Sequence, residues 1–310
     1  MLKQIQGLHH VTSMASDANV NNRFFTNVLG LRRVKKTVNF DRPDVYHLYY
    51  GDEVGSPGSV MTYFPFPGMP MGERGTGEVG VTALTVPEQS LEFWENRFLR
   101  LEIADVEKSE LFGERRLSLK GPDGDGFALV ESADDDRQPW LSNDIPTEVA
   151  IRGFHSASLR LKDNQEMQEL LGFMNYEVVE RSDNVTRLMV NEGNGASVLD
   201  LEVLPAAEQV TQGAGSVHHI AFSVESAAAQ LEVREALIDN GYAVTPVIDR
   251  DYFLAIYFRT PDGILFEVAT DEPGFDRDET SAELGTALKL PAQHEHLRAE
   301  LEKHLDPIKD

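Results

Sequence analysis

Four of the nine histidines fall in two adjacent pairs. His9-His10 sits in Gly7-Leu8-His9-His10-Val11-Thr12, and His218-His219 sits in Ser216-Val217-His218-His219-Ile220-Ala221. Each pair lies in a short apolar run that reads as a strand. Side chains alternate along a strand, so one imidazole of each pair faces one side and its neighbour faces the other side or an edge. Two remote strands that offer an imidazole to the same face can build a metal site if an acid joins them. Glu267, in the apolar run Leu265-Phe266-Glu267-Val268-Ala269, is the candidate. Buried there without a partner it would cost several kcal/mol, and a metal ion would be that partner. Two histidines and one carboxylate, with the other positions open, suit non-haem Fe(II); Mn(II) would also fit, and Zn(II) stays open.

These strands recur in a repeated unit of strand, amphipathic helix and further strands. Unit one begins at Leu8 and has a helix over 19–29, with Val20, Phe24, Phe25 and Val28 at helical spacing. Asp17 can cap this helix and Gly30 can end it. Strands follow near 32–39, 46–50 and 60–64. Unit two starts at 77–84, has a helix over 89–97, and ends in a strand over 127–131 after the turn Gly121-Pro122-Asp123-Gly124. The polar segment from Ser132 to Asn143 reads as a linker. Unit three starts at 153–159, with a helix over 164–171 and strands near 176–181, 186–191 and 197–204. Unit four starts at 217–222, with a helix over 226–240 and strands at 243–248 and 255–259. The turn Thr260-Pro261-Asp262-Gly263 leads to its last strand, 264–269. A polar tail follows, ending in an amphipathic helix over 293–304 outside the repeats.

The pattern predicts an α+β fold of four βαβββ modules paired into two domains with open, curled mixed sheets. The expected boundaries are 1–135 for an N-terminal domain of two modules, 136–150 for the linker, 151–272 for a C-terminal domain of two modules, and 273–310 for the tail. Curled sheets of this kind enclose a cleft suited to a small ligand.

The repeat supplies an internal control. Aligning the unit starts matches His10 with His219, but with Gly80 in unit two and Ser156 in unit three. Aligning the Pro-Asp-Gly turns matches Glu267 with Ala128. Imidazole, imidazole and carboxylate therefore fall on units one and four, which predicts one functional and one vestigial cleft. His155 holds the position of His9 in a unit without the ligand, so a histidine there does not require a metal.

Composition narrows the class. A net charge of −24 argues against nucleic acid and against anionic membranes as partners. No run of about 18 apolar residues exists, so no membrane span is expected, and the N-terminus lacks the apolar core of a signal peptide. With no cysteine there is no disulfide or thiolate, and a cytoplasmic location is expected. Lys35-Lys36 reads as a solvated strand edge, Tyr46 and His47 as core or cleft-mouth residues, 64–70 as a turn-rich connection, and His294 and His296 as surface residues.

At these motifs the sequence resembles the vicinal oxygen chelate superfamily of glyoxalases, bleomycin-resistance proteins and extradiol dioxygenases. Within it the chain is similar to the hydroquinone ring-cleaving dioxygenases. The resemblance rests on the two His-His runs, on Leu29-Gly30-Leu31-Arg32-Arg33-Val34-Lys35-Lys36-Thr37-Val38-Asn39-Phe40-Asp41, and on Tyr46-His47-Leu48-Tyr49-Tyr50-Gly51-Asp52 and Gly55-Ser56-Pro57-Gly58-Ser59. In the second half it rests on Arg250-Asp251-Tyr252-Phe253, Ile256-Tyr257-Phe258-Arg259 and Leu265-Phe266-Glu267-Val268-Ala269-Thr270-Asp271. It implies Fe(II) on His10, His219 and Glu267, and roles beside the metal or facing the substrate for His9, His218, Arg250 and Tyr257. The implied activity is extradiol-type cleavage of a hydroquinone-like ring with O₂, by an enzyme expected to be a homo-oligomer. Strict alternation points His9 and His218 away from the metal, so their roles require a twist or bulge.

Two alternatives stay open. A glyoxalase-type isomerase or lyase would need a fourth protein ligand on the last strand of unit one, where Ser59-Val60-Met61-Thr62-Tyr63 offers no acid or histidine. A ligand-sequestering protein of the bleomycin-resistance type would have no need of His10, His219 and Glu267 together.

Overall fold

The computed structural model describes residues 1–142 and 144–309. Asn143, at the end of the expected linker segment, and Asp310 lie outside the described residues. Module one comprises β1 (Leu8–Ala15), α1 (Ala18–Arg23) continued by a π-helical turn (Phe24–Val28), β2 (Arg32–Val38), β3 (Tyr46–Gly51) and β4 (Val60–Pro65). Module two comprises β5 (Glu78–Pro87), α2 (Leu91–Arg100), β6 (Glu107–Leu111), β7 (Glu114–Lys120) and β8 (Gly126–Ser132). Module three comprises β9 (Gly153–Leu161), α3 (Gln165–Phe173), β10 (Tyr176–Ser182), β11 (Val185–Val190) and β12 (Val198–Val203). Module four comprises β13 (Val217–Val224), α4 (Ala227–Asp239), β14 (Ile248–Asp249), β15 (Phe253–Arg259) and β16 (Leu265–Pro273). The tail ends in a 3₁₀ segment (Ala292–Leu297) and α5 (Arg298–His304).

Local chemistry sets the helix of module one. The Asp17 carboxylate accepts from the Val20 N–H, and Gly30 takes a positive φ of 68° just past the helical segment. Phe25 then stacks on Tyr50 of β3 at 4.8 Å and anchors the helix to the sheet. No described helix is long and apolar enough to cross a membrane.

The sixteen strands form two eight-stranded mixed sheets. One runs β14-β15-β16-β13-β1-β4-β3-β2 and joins modules one and four; the other runs β10-β11-β12-β9-β5-β8-β7-β6 and joins modules two and three. In the first, β1 and β13 meet antiparallel at the centre, with β4 parallel to β1 and β16 parallel to β13. Each sheet thus draws strands from both halves of the chain.

Two local expectations change. The strand expected at 243–248 shrinks to Ile248–Asp249. Pro246 has no N–H to give a ladder. The segment is held instead by the Thr245 N–H donating to the Tyr257 carbonyl and by the Tyr257 N–H donating to Thr245 Oγ1. Lys35 is not a solvated edge: its side chain is fully buried, with Nζ 2.6 Å from both Asp278 Oδ1 and Glu279 Oε2. The tail crosses the β2 edge there. Arg33 Nε donates to the Gly285 carbonyl, Leu288 bridges to Lys36, and Phe275 packs against Tyr49 and Tyr252.

Candidate metal centre

The register of the first sheet places the site. Residues directly opposite each other on neighbouring strands point to the same face. One row across the sheet reads Tyr257–Glu267–Ala221–His10–Val60. The next reads Tyr49–Thr62–Thr12–His219. The rows exchange under a local two-fold axis through the Val11–Ile220 pair, which swaps modules one and four. His10 exchanges with His219, Tyr257 with Tyr49, and Glu267 with Thr62. Symmetry therefore brings two imidazoles together, and one substitution breaks it to leave a single acid.

Bulges position the other two histidines. Pairing steps from Leu8↔Phe222 to His10↔Ala221, so His9 is the extra residue on β1; it steps from Thr12↔His219 to Ser13↔Val217, so His218 is the extra residue on β13. A bulged residue escapes strict alternation. Each can therefore lie beside its neighbour. His9 Nδ1 is 2.9 Å from His10 Nδ1, and His218 Nδ1 is 2.8 Å from His219 Nδ1. Burial, helped by His10, pushes the His9 imidazole down to about 3, and burial with His219 pushes His218 down to about 4. Neutral at pH 7, each has one ring nitrogen that can accept a hydrogen bond. The two Nδ1 atoms of each pair share one hydrogen, and a ligand role for His10 requires its Nδ1–H to donate to the His9 Nδ1 lone pair. The Nε2 lone pair of His10 is then turned to the site. This is how a ligand histidine is held in the correct tautomer.

The ligand atoms converge. His10 Nε2 and His219 Nε2 lie 3.4 Å and 2.8 Å from Glu267 Oε2. Among the described residues these three side chains form a group whose ligand atoms all lie within 4.8 Å of one another. Donor atoms about 2.1 Å from one metal and at right angles stand about 3 Å apart, so the spacing fits a facial set. The charge fits as well. Burial opposes ionisation of Glu267; positive charge at the His10 and His219 rings lowers its carboxyl, and with those rings neutral a cation must supply that charge. Burial in turn lowers His219, keeping it neutral. The result is a fully buried carboxylate, neither of whose oxygens receives a properly directed hydrogen bond. A divalent cation satisfies such a group.

The set opens into a cavity of about 510 Å³. Met14, Phe40, Phe64, Phe66, Met69, Phe253 and Leu265 give it apolar walls suited to an aromatic ring. Arg250 and Tyr257 supply polarity: Arg250 Nε donates to the Tyr257 hydroxyl at 3.2 Å, and the guanidinium lies 5.4 Å over the Phe40 ring. Burial, with the Glu267 charge, pushes the Tyr257 phenol well above its usual range, so it remains a donor. All seven residues singled out from the sequence thus meet at or beside one centre. Sequence reasoning left His47 undecided; it lines the cavity, bonded to Thr62 and Tyr49.

The second sheet shows what replaces a metal. Its matching rows read Arg187–Asp200–Ser158–Val81 and Ser118–Ala128–Ala83–Ser156. Ser156 and Ala128 fall where alignment put them, but Gly80 does not match His10. Pairing skips from Val79 to Val81, so Gly80 is itself a bulged residue and matches His9. Module three also carries an acid that alignment missed. The two-fold of this sheet gives two equivalent places for the acid: Ala128 holds one and Asp200 the other, with Arg187 beside Asp200 as Tyr257 is beside Glu267. Arg187 grips Asp200 through two bonds of 2.7 and 2.9 Å and reaches Glu114 at 2.8 Å. His155, the bulge residue of β9, binds Glu114 at 3.0 Å. A guanidinium supplies the positive charge here.

Comparison with known proteins agrees with this architecture. The Glyoxalase/Bleomycin resistance protein/Dioxygenase superfamily model matches residues 7–268. The chain is 40% identical over 309 residues to the "Putative ring-cleaving dioxygenase MhqO" of Bacillus subtilis (strain 168), covering 99% of this chain and 98% of that protein. It is 37% identical over 320 residues to the chlorohydroquinone/hydroquinone 1,2-dioxygenase of Sphingobium indicum, covering 99% and 98%. A crystal structure of a "putative dioxygenase" from B. subtilis superposes with a TM-score of 0.95 at 40% identity, covering 98% of each chain. With the family model spanning both histidine pairs and Glu267, the chain belongs to the Glyoxalase/Bleomycin resistance protein/Dioxygenase superfamily.

Proposed function

We propose that this protein is an Fe(II)-dependent extradiol-type dioxygenase that opens the ring of a hydroquinone-like phenol with O₂. The carrying observation is the broken symmetry of the two rows. Two imidazoles and one carboxylate converge, and the symmetry-related place of the carboxylate holds Thr62 rather than a second acid. A glyoxalase-type isomerase would need a ligand there. A ligand-sequestering protein would have no need of the buried carboxylate. The names of the relatives, a ring-cleaving dioxygenase and a hydroquinone dioxygenase, support the substrate class.

In this reading His10, His219 and Glu267 hold the metal. When bound, it favours the ionised phenol and lets electron density pass from the ring to O₂. The remaining chemistry belongs to the chain. The aromatic walls bind the ring and exclude water. Arg250, always cationic, holds the phenolate oxygen. The Tyr257 hydroxyl donates to a substrate oxygen or to oxygen that becomes negative during cleavage. His9 and His218 keep the ligand histidines in the correct tautomer. Anaerobic reconstitution with Fe(II) or Mn(II), followed by O₂ consumption on a panel of hydroquinones and catechols, tests the proposal. Iron-dependent uptake with ring-opened product is expected, and a protein that binds no metal refutes it.

A further inference from the structure

His47 is a further imidazole on the wall of the metal cavity, beside those of His10, His218 and His219, and neither of its nitrogens is free. Its Nε2 lies 2.6 Å from Thr62 Oγ1, and its Nδ1 lies 2.8 Å from the Tyr49 hydroxyl. Thr62 is fully buried and also meets Thr12 Oγ1 at 3.0 Å. Burial, with Tyr257 nearby, pushes the Tyr49 phenol well above its usual range, so its hydroxyl stays protonated. Burial holds His47 well below its usual value. Neutral His47 has one ring N–H and one lone pair, so it donates one of these two bonds and accepts the other.

Thr62 stands at the symmetry mate of Glu267 and Tyr49 at that of Tyr257. The chain from Tyr49 to Thr62 therefore occupies the side of the cleft from which a fourth protein ligand would come. An imidazole is a good ligand for the metals that suit this site, and His47 has the donor atoms to be one.

We propose that His47 is a specificity-determining residue: Thr62 and Tyr49 anchor its ring as a non-ligating wall and so keep one metal position open for an exogenous ligand. The inference rests on the metal reading above. His47 itself confines the bound ring, while Thr62 and Tyr49 act through it as positioning residues. Releasing either anchor frees a third imidazole to close the open position.

Co(II) and azide test this without turnover. Co(II) uptake by the wild-type protein is measured first, and failure to bind it removes the metal reading together with this proposal. In the Co(II)-loaded protein, Thr62→Val should alter the visible Co(II) spectrum before azide is added and weaken azide binding by about tenfold or more, the usual scale for disturbing groups that orient ligands. Tyr49→Phe, at the other end of the chain, should act in the same direction and serves if Thr62→Val fails to fold. Adding His47→Phe to either variant should restore both the spectrum and the azide affinity. With Co(II) bound, an unchanged spectrum and azide affinity in both single variants would overturn the role of His47 alone. So would a change that persists in the double variants.

Discussion

Replacing Glu267 with glutamine separates two effects of the carboxylate. Without a cation, the structure buries an anion whose oxygens lack directed donors, 2.8 Å and 3.4 Å from imidazoles that offer lone pairs. An uncompensated buried charge costs several kcal/mol. The amide has the same shape and no charge, and its N–H can donate to His219 Nε2. Allowing about 1–3 kcal/mol for amide hydrogen bonds left unmade, the net gain for the metal-free fold is about 2 kcal/mol. For a chain of this size that raises Tm by about 4 °C. With metal the order reverses. A ligand at a thousand times its Kd stabilises the wild type by about 4 kcal/mol, whereas the glutamine variant loses the charge that holds the cation. Scanning calorimetry in EDTA and again in excess Mn(II) reads both halves. A Glu267→Gln variant that melts below wild type in EDTA would refute the argument, because the carboxylate would then be satisfied by the protein itself.

Other predictions address separate parts of the molecule. Tyr257→Phe should lower kcat/KM by about 10–100-fold, the scale of a lost hydrogen bond to a charged oxygen, while metal content measured by mass spectrometry is unchanged. Lys35→Met leaves Glu279 buried without its cation and should cost about 3–5 kcal/mol in urea unfolding; adding Glu279→Gln should recover much of it. Asp125 accepts from the Tyr63 hydroxyl inside the interface of modules one and two, and burial pushes its carboxyl up to about 6. A raised carboxyl favours the protonated fold, so its contribution is lost as pH rises from about 4, its unfolded value, through about 6. Asp125→Asn should therefore stabilise the protein above pH 6 and change little below pH 4, as read from pH-dependent denaturation.

The clustering of His10, His219 and Glu267 was legible because two kinds of pattern coincide. Alternation marks one face of a strand, and the internal repeat shows which positions differ between modules. What escaped had physical causes. A bulge adds a residue without changing composition, so Gly80 was matched to His10 although Val81 lies opposite the corresponding partner. Asp200 was missed because module three lacks the Pro-Asp-Gly turn that aligned Glu267 with Ala128. Burial of Lys35 depends on Asp278 and Glu279, 243 and 244 residues away, and nothing near Lys35 announces them. The same bulges placed His9 and His218 beside the ligands, where alternation alone would have turned them away.

The pairing of module one with module four also dictates when the centre can exist during synthesis. Strands β5 to β12 form one sheet from an unbroken stretch of chain, so its pairings close over comparatively short separations. His10 leaves the ribosome long before its neighbour in the sheet, Ala221, and its partner acid, Glu267. Such distant pairings close slowly. Until module four is made, β1 is an apolar edge waiting for β13, the kind of exposed edge that invites wrong partners. The sheet of modules two and three is thus a template that can form early, and the metal pocket waits until module four has been made.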